Sequence, residues 1–276
     1  MILDLDSSKD SLQKPATPSV PSVERTLAIL ESLSEANAGL TLPELSRRLR
    51  LPKSSTHCLL LTLERRGYLI RNERTHRYML ALKLFSLANV ALGGIKLREQ
   101  ASPFLHALMQ RCRMTVHMAV LEHDEAVIIE KVEPPPGVRR IATWVGKRLD
   151  LHCSGVGKAL IAYLPEERLV SLVDERRLAR YNDNTLTSFR RLKQELEETR
   201  HRGYSIEDEE GELGTRCIGA PVLVGSEEAI AAISVAGTTV EIQPETIPQT
   251  GELVKQTAFH IAEAIPSHQE SYVTSM

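Results

Sequence analysis

The chain has 276 residues, 25% of them charged and 42% hydrophobic, with a formal net charge of −2 at pH 7. This length is sufficient for two domains, each with its own core. No hydrophobic run approaches the roughly 18 residues of a membrane-spanning helix, and the acidic, polar N-terminus is unlike a signal peptide. We therefore expect a cytoplasmic protein with no membrane partner.

The charge is unevenly distributed along the chain. Residues 22–84 contain 11 Lys and Arg against 6 Asp and Glu, whereas residues 85–276 contain 21 against 27. A basic N-terminal part on an acidic remainder is typical of a nucleic-acid-binding head on a body that does not bind nucleic acid. The positive excess is small, so tight binding is expected to need two or more heads on one DNA.

The first segments of the chain are a leader and a helix. Residues 1–20 carry three prolines among Ser, Asp and Lys, which predicts a disordered leader. Ser22 is the expected N-cap of the first helix. The apolar positions of that helix are Val23, Leu27, Leu30 and Leu33.

Residues 41–70, TLPELSRRLRLPKSSTHCLLLTLERRGYLI, predict two short helices joined by a tight turn. Thr41 is the expected N-cap of the first, and Leu51-Pro52 ends it because the residue before a proline is pushed out of the α region. The second helix runs from about Lys53 to Arg66, and Gly67 is suited to end it in the left-handed conformation. The periodicity alone fits an ordinary helical hairpin equally well.

Two neighbouring features favour DNA binding. Small polar and basic residues begin the second helix, where the N-terminus attracts phosphate and the side chains can reach base edges in the major groove. After it, YLIRNERTHRYML predicts two strands around a polar turn, a basic wing that would lie along the phosphate backbone. The combination predicts a winged helix-turn-helix domain over residues 21–82. The residues expected at the DNA are Lys53, Ser54, Ser55, Thr56 and His57 on the helix and Arg71, Arg74 and Arg77 on the wing.

Residues 83–100 predict a linker helix, with a bend at Gly93-Gly94 because glycine weakens a helix. The alternative is an ordinary core helix. Residues 101–266 contain both predicted helices and predicted strands, which indicates an α+β domain with an antiparallel sheet flanked by helices. A disordered tail is expected at residues 267–276. Within the domain we expect helices at 103–112, 154–163, 165–173, 188–202 (capped by Thr187) and 245–265, and strands at 115–122, 126–132, 204–208, 216–224 and 229–237.

The stretch DLHCSGVGKALIAYL, residues 150–164, is the most informative one in the second half. A phosphate-binding loop would need Gly at 152 and Ser or Thr at 159, where the chain has His152 and Ala159. The serine-hydrolase pattern G-x-S-x-G fails at His152 as well. What remains is a helix opened by Ser154 and two glycines, whose free N–H groups and hydroxyl suit a carboxylate. An equally good interpretation is that the glycines serve only to permit close packing of the helix on the sheet.

No motif supports catalysis or metal binding. The acidic run at residues 207–212 has no His at ligand spacing, so we expect a solvated turn. The four cysteines form no C-x-x-C pair, which predicts reduced thiols, and a metal site from His152, Cys153 and Cys217 has no support in the spacing. We therefore expect no enzyme, no cofactor and no metal.

The order of these features resembles the IclR family of bacterial transcription regulators. The similarity spans about residues 20–265 and is carried by SVERTLAILESL, LTLPELSRRLRLPKSSTHCLLLTLERRGYL, RYMLALKLFSL, LDLHCSGVGKALIAYLPEE, GYSIEDEEGELGTRCIGAPV and AAISVAGTTVEI. The resemblance implies a winged helix-turn-helix, a linker helix and a C-terminal GAF-like effector domain. It also implies a homodimer, or a homotetramer built as a dimer of dimers, on a palindromic operator. A small organic acid, often an intermediate of carbon or aromatic catabolism, would tune DNA binding.

The resemblance also implies an effector pocket. Ser154, at the helix start that suits a carboxylate, would be part of it. The implied positions are Ile141, Leu149, Gly155, Val156, Glu207, Thr215, Cys217, Ser234 and Ala236. Two of them would offer backbone N–H groups (Gly155, Val156) and two an apolar wall (Ile141, Leu149), while the polar side chains would contact polar ligand atoms. Ala236 stands where some relatives carry a hydroxyl, which favours a more apolar ligand. Cys58 stands where many relatives carry a basic residue beside the recognition-helix His.

Two other classes of function stay open. In one, the second domain only oligomerises, and the space around Gly155 and Cys217 is filled. In the other, the chain is a small-molecule enzyme with an appended nucleic-acid head. The favoured hypothesis is a regulator in which ligand biases two arrangements of the linker helices, and so the spacing of the recognition helices on DNA.

Overall fold

A computed structural model describes residues 19–36, 38–93, 96–135, 141–176, 178–225 and 229–265. The chain divides into two compact units, Met1–Gly93 and Gly94–Met276. The predicted leader lies outside the described residues except for its last two, and the predicted tail lies wholly outside them. Within the described ranges, no helix is long and apolar enough to cross a membrane.

The first unit contains a helix-turn-helix and a three-stranded antiparallel sheet in the order β1-β3-β2. Thr41 caps α2 as predicted, and its N–H donates to Glu44 Oε2 at 2.7 Å in a reciprocal capping box. Gly67 follows α3 with a φ of +78°, the predicted left-handed end. The elements are α1 (Pro21–Ser34), β1 (Leu40–Thr41), α2 (Leu42–Arg48), α3 (Lys53–Arg65), β2 (Leu69–Arg71), β3 (Arg77–Leu80) and α4 (Leu82–Gly93).

The core of this unit comes from one face of each helix and from the sheet. Its fully buried members are Ile29, Leu33, Leu45, Leu60, Leu63, Leu69 and Tyr78. The start of α1 differs from the prediction, because Val20 is the N-cap and Ser22 lies inside the helix. Proline at the first helical position explains this, since its missing N–H would be unpaired there in any case. Val23 and Leu27, predicted as core positions, are 53% and 48% exposed.

The predicted linker helix covers parts of two helices. The first, α4, ends at Gly93, residues 94 and 95 lie outside the described part, and α5 (Lys96–Cys112) follows. The predicted boundary at residue 100 falls inside α5. Apolar residues continue at helical spacing across that point, and they are buried in the core of the second unit: Leu97, Ala101, Leu105 and Leu108.

The second unit is the predicted α+β fold, with a six-stranded antiparallel sheet in the order β6-β5-β4-β9-β8-β7. The strands predicted at 115–122 and 126–132 form an antiparallel hairpin, which turns at His123-Asp124 between β4 and β5. One predicted detail is wrong, because Ser188 rather than Thr187 is the N-cap of α8. The elements after α5 are β4 (Thr115–Glu122), β5 (Glu125–Val132), β6 (Arg148–Leu149), α6 (Gly155–Ile161), α7 (Glu166–Arg176), α8 (Phe189–Arg202), β7 (Ser205–Asp208), β8 (Thr215–Leu223), β9 (Ala229–Thr238) and α9 (Ile247–Ala264).

The two faces of this sheet differ in chemistry because successive residues of a strand point to opposite sides. One face packs against α5 and α9 through apolar side chains such as Met118, Ile218 and Val235. The other face packs against α6. Cys217 belongs to that face, because a Cβ built on Gly155 of α6 would lie 3.1 Å from the Cys217 Cβ. The residues paired with Cys217 across the sheet share its face, and several of them are polar.

Candidate functional site

The N-terminal face of α3 is open to solvent. Lys53, Ser54 and His57 are exposed and Ser55 is half-buried. Pro52 is the N-cap and supplies no side-chain hydrogen bond, so the first N–H groups of the helix are not capped by a side chain. This arrangement offers donors and a positive charge to a phosphate, with hydroxyls and an imidazole on the same side.

Thr56 does not belong to this face, which corrects the prediction that it contacts DNA. Its side chain is fully buried, and its hydroxyl donates to the carbonyl of Pro52 at 3.0 Å. It lies one helical turn before Leu60 on the core side of α3. The apolar periodicity of the helix in the sequence already places Thr56 on this buried side.

The wing is a tight turn between β2 and β3 that carries exposed arginines. The Asn72 Oδ1 accepts the N–H groups of Arg74 and Thr75, both at 3.0 Å, and so fixes the turn. Arg71 and Arg74 are exposed. Arg71 Nη2 lies 3.0 Å from His76 Nδ1, and both guanidinium groups face solvent, where a phosphate backbone can reach them.

Arg77, predicted as a wing contact, makes its hydrogen bonds within the domain. Its guanidinium donates to the carbonyl of Gly39 at 2.7 Å and to both carboxylate oxygens of Glu44 at 3.1 Å. The cause is strand pairing, since Thr41 and Arg77 are opposite each other in β1 and β3. Hydrogen bonds from Thr41, together with Arg77, lower the pKa of Glu44. Arg77 therefore holds the wing to the capping box of α2.

In the second unit, two transverse rows of residues cross the sheet on the face toward α6. Antiparallel pairing aligns them, so members of one row point to the same side. The first row is Ser205, Gly219, Ser234, His117 and Lys131, and the second is Glu207, Cys217, Ala236 and Thr115. Four of the predicted pocket residues (Glu207, Cys217, Ser234, Ala236) are thus brought together.

The start of α6 lies directly on these rows. Ser205 Oγ donates to the carbonyl of Gly155 at 2.6 Å, and a Cβ on Gly155 would lie 3.5 Å from Gly219 N. Glycine is required for this close approach, so the packing interpretation of the sequence holds at this position. Between Gly155 and Cys217 the space is filled, and room for a ligand must lie beside this contact, toward Ser234 and Ala236.

Of the other predicted pocket residues, two use their hydroxyl groups in hydrogen bonds within the protein and a third lies on an edge strand. The Ser154 hydroxyl caps α6, accepting the Gly157 N–H at 3.1 Å and donating to the Asp150 carbonyl at 2.6 Å. The Thr215 hydroxyl donates to the Glu212 carbonyl at 2.6 Å. Leu149 lies on the edge strand β6, paired with Ala126. Ser154 is therefore a helix cap in this structure, and its predicted contact with a ligand stays a prediction.

Glu207 is a buried carboxyl group, 3% exposed. Its Oε1 accepts the N–H groups of Glu210 at 2.7 Å and Gly211 at 3.2 Å. Burial raises its pKa to about 7, although these hydrogen bonds and the one with Cys217 act in the opposite direction. Burial, followed by the proximity of Glu207, raises the pKa of the Cys217 thiol well above its usual range. Near pH 7 the carboxyl group of Glu207 is therefore about half protonated, and the Cys217 thiol is neutral.

The other side of the rows carries a polar cluster that sequence analysis missed. His117 Nε2 lies 2.7 Å from Thr143 Oγ1, and Lys131 Nζ donates to the carbonyls of Ile141 at 3.1 Å and Thr143 at 2.8 Å. Burial, followed by the charge of Lys131, lowers the pKa of His117 to about 3. The imidazole is therefore neutral. The segment that contains Ile141 is held over β4 and β5 by these contacts.

Alternating polar residues were the available signal for this cluster. Thr115 and His117 occupy alternate positions of the strand TVHMAVLE, so both side chains point to the same face. A helix-facing side of a sheet is expected to be apolar, and two polar residues there indicate a site or an internal hydrogen-bond network.

Lys158, considered in the sequence as part of a failed phosphate loop, is fully buried and structural. Its ammonium donates to Glu210 Oε1 at 2.6 Å and to the carbonyl of Ile206, and it lies 3.7 Å from Glu195. Burial raises the pKa of Glu210, and Lys158 opposes that shift. Lys158 therefore ties α6 to β7, to α8 and to the turn that holds Glu207.

Two further features lie outside these rows. A surface groove of about 380 Å³ lies along α9 and β8 and is lined by residues that include Pro221, Lys255 and Phe259. Across the described ranges, no group of three or more His, Cys, Asp or Glu side chains is arranged to hold a metal ion. The four cysteines are free thiols, and only Cys58 is exposed.

Comparison with known families identifies both units. The family described as bacterial transcriptional regulator IclR C-terminal matches residues 89–263, and the IclR helix-turn-helix domain matches residues 22–73. The transcriptional repressor IclR of Escherichia coli (strain K12) is 35% identical over 246 residues, which are 88% of this chain and 89% of that protein.

Solved structures agree with these matches. Thermotoga maritima IclR has a TM-score of 0.73 at 27% identity, covering 88% of this chain and 98% of that one. An IclR homolog from Microbacterium hydrocarbonoxydans, complexed with 4-hydroxybenzoate, has a TM-score of 0.75 at 25% identity, with the same two coverages. The chain therefore belongs to the IclR family of bacterial transcriptional regulators and is a DNA-binding regulator of that type.

Proposed function

We propose that this regulator binds a small organic acid on the α6 face of its second unit and that the acid changes its affinity for DNA. The observation that carries the proposal is the pair of polar rows, buried on a sheet face that a purely structural domain would fill with apolar side chains. The complex of a family member with 4-hydroxybenzoate supports a carboxylate as the ligand.

Within this site the ligand would lie beside the Gly155–Cys217 contact. The N–H groups of Gly155 and Val156 precede the first backbone hydrogen bond of α6, from Lys158 N to Ser154 O at 2.9 Å, and would receive the carboxylate. Ser234 and the Glu207–Cys217 pair would contact polar ligand atoms. A neutral Glu207 would accept an anionic neighbour at less cost than an ionised one, because like charges repel at short range.

The DNA face would consist of the exposed start of α3 and the two exposed arginines of the wing. Its members are Lys53, Ser54, Ser55, His57, Arg71 and Arg74. Lys53 and the arginines would contact phosphates, and the helix residues would read base edges in the major groove. The chain would act in the cytoplasm, where bacterial DNA lies, and would not be an enzyme.

The remaining steps follow from the family resemblance. The protein would work as a homodimer or homotetramer on a palindromic operator and control genes of carbon or aromatic catabolism. Ligand would bias two arrangements of the linker helices, so the spacing of two recognition helices would depart from one turn of DNA.

One observation favours a second candidate function. The close packing of Gly155 on Cys217 is what a domain used only for oligomerisation would show. In that case no acid would bind the second unit.

A thermal-shift screen of the full chain against monocarboxylates, dicarboxylates and aromatic carboxylates separates the two candidates. A specific acid at 100 times its Kd stabilises its domain by about 2.7 kcal/mol, which raises the unfolding midpoint. Ser234→Ala should weaken that shift, whereas His57→Ala, on the DNA face, should leave it unchanged. A panel without any stabilising acid would favour the oligomerisation function.

A further inference from the structure

The hydroxyl of Thr115 is buried without a partner. The side chain is 1% exposed, and in the part of the chain that the structure describes its Oγ1 has no hydrogen bond. Buried hydroxyl groups in proteins are normally paired, because an unpaired one loses its hydrogen bonds to water without compensation. The position therefore needs an explanation.

The register of the sheet shows where this hydroxyl points. Thr115 is paired with Ala236, and Ala236 is paired with Cys217. Paired residues point to the same side of an antiparallel sheet, and Cys217 contacts Gly155 at the start of α6. Thr115 therefore points to the α6 face, in the same row as the proposed ligand contacts.

Thr115 and Cys217 lie at opposite ends of the floor of the site. They are separated by two strand spacings, which amount to about 9.6 Å. The residue between them is Ala236, whose small side chain leaves space above the middle of the row. Hydrogen bonds of about 2.9 Å at each end leave roughly 4 Å between the polar atoms of a ligand that meets both, and more where the hydrogen bonds are inclined to the row.

We propose that Thr115 is a second polar contact and a specificity-determining residue for the effector, at the end of the site away from α6. The effector is then two-ended: it carries a carboxylate for the start of α6 and a hydroxyl or second carboxyl group for Thr115, separated by an aromatic ring or a chain of similar length. Pyruvate carries its ketone on the carbon next to the carboxylate and, with bonds of about 1.5 Å, is too short to meet both ends. This inference rests on the proposed function, because it names the class of ligand for the same site.

The test compares matched ligands on matched variants by isothermal titration calorimetry of the full chain. The probes are 4-hydroxybenzoate, benzoate, adipate and pyruvate, and the variants are Thr115→Val, which keeps the shape and removes the hydroxyl, and Thr115→Ser, which keeps the hydroxyl. Wild type should bind 4-hydroxybenzoate or adipate more tightly than benzoate or pyruvate. Thr115→Val should lower the affinity for the two-ended acid about tenfold and leave benzoate unchanged. Thr115→Ser should restore the preference.

Thermal unfolding of the ligand-free protein tests the inference independently of any ligand. If the hydroxyl is unpaired in the free protein, Thr115→Val should unfold at the same temperature as wild type or at a higher one. A lowered midpoint would overturn the inference, because it would show that the hydroxyl has a partner within the protein.

The outcomes also separate this inference from the proposed function. Acid binding to wild type with the same affinities in Thr115→Val would refute the role of Thr115 and leave the acid site intact. Absence of binding by every probe to wild type would remove the acid site and this inference with it.

Discussion

Each unit contains a helix with a serine and a lysine within its first residues, and the two helix starts have opposite environments. Lys53 and Ser54 of α3 are exposed, whereas Ser154 caps α6 and Lys158 is fully buried. The residues at the two helix starts are chemically similar, but the start of α3 is uncovered and the start of α6 lies on the sheet. An uncovered helix start can meet a macromolecule, while a start laid on a sheet can meet only a ligand small enough to enter. The size of the partner is therefore set by packing.

Removing the buried lysine should have the largest effect on stability. Lys158→Ala leaves Glu210 and the Ile206 carbonyl without their cation, and breaking such a buried pair typically costs about 3–5 kcal/mol. Urea unfolding of the full chain, followed by circular dichroism, measures the loss. The matched control is Lys193→Ala, because Lys193 pairs with Glu166 at 2.6 Å on the surface and should cost about 0–1 kcal/mol. Equal losses in the two variants would show that Lys158 does not hold α6 in place.

The pH dependence of stability should reveal the environment of Glu207. Its pKa is about 7 in the folded chain against an ordinary value of 4.5, so between these pH values the unfolded chain releases a proton that the folded chain keeps. Wild type therefore loses stability as pH rises through this window. Glu207→Gln removes the loss, so its advantage over wild type should grow from near zero at pH 4.5 to about 3 kcal/mol above pH 7.

Two comparisons isolate that effect. The low pKa of His117, about 3, lowers stability as pH falls below 6.5, but it does so in both proteins and cancels in the difference. Glu197→Gln, at an exposed position of α8, should show no such trend. A pH-independent difference between Glu207→Gln and wild type would mean that Glu207 is ionised throughout this range.

On the exposed helix start the expected effects are smaller and concern DNA. Lys53→Ala should weaken binding to all DNA sequences and reduce the salt slope by about one, because one phosphate contact is lost. His57→Ala should instead relax discrimination at particular bases by about 1 kcal/mol. Fluorescence anisotropy with a selected operator and a scrambled duplex, at several salt concentrations, separates the two. Unchanged operator affinity in both variants would contradict the placement of the recognition helix.

Local sequence signals were sufficient to predict the first unit. The capping residue Thr41 and the left-handed Gly67 each act within a few residues, and the structure has both. The helix α2 ends at Arg48, three residues before the predicted break at Leu51-Pro52. The errors have physical causes of longer range. Arg77 looked like a wing contact because its partner Glu44 is 33 residues away, beside it only through strand pairing.

The second unit shows the same limit more strongly. Its strands and helices follow from periodicity, and four pocket positions that the family resemblance implied lie on two neighbouring rows of one sheet face. The partners of those rows, His117 and Lys131, come from strands that only the register of the sheet aligns with them. Whether Ser154 serves a ligand or its own helix also depends on a contact, to the Asp150 carbonyl, that the sequence does not specify.

The central claim is that one molecule binds both DNA and an acid and that the two events are coupled. The most direct measurement is the Kd for a duplex selected from a random pool by the purified protein, at fixed salt, with and without an acid that raises the unfolding midpoint. The account predicts that a saturating acid changes this Kd by about 5- to 150-fold in wild type. In Ser234→Ala the same concentration should leave DNA affinity close to its acid-free value. An acid that binds the protein and leaves the Kd for DNA unchanged would contradict the account.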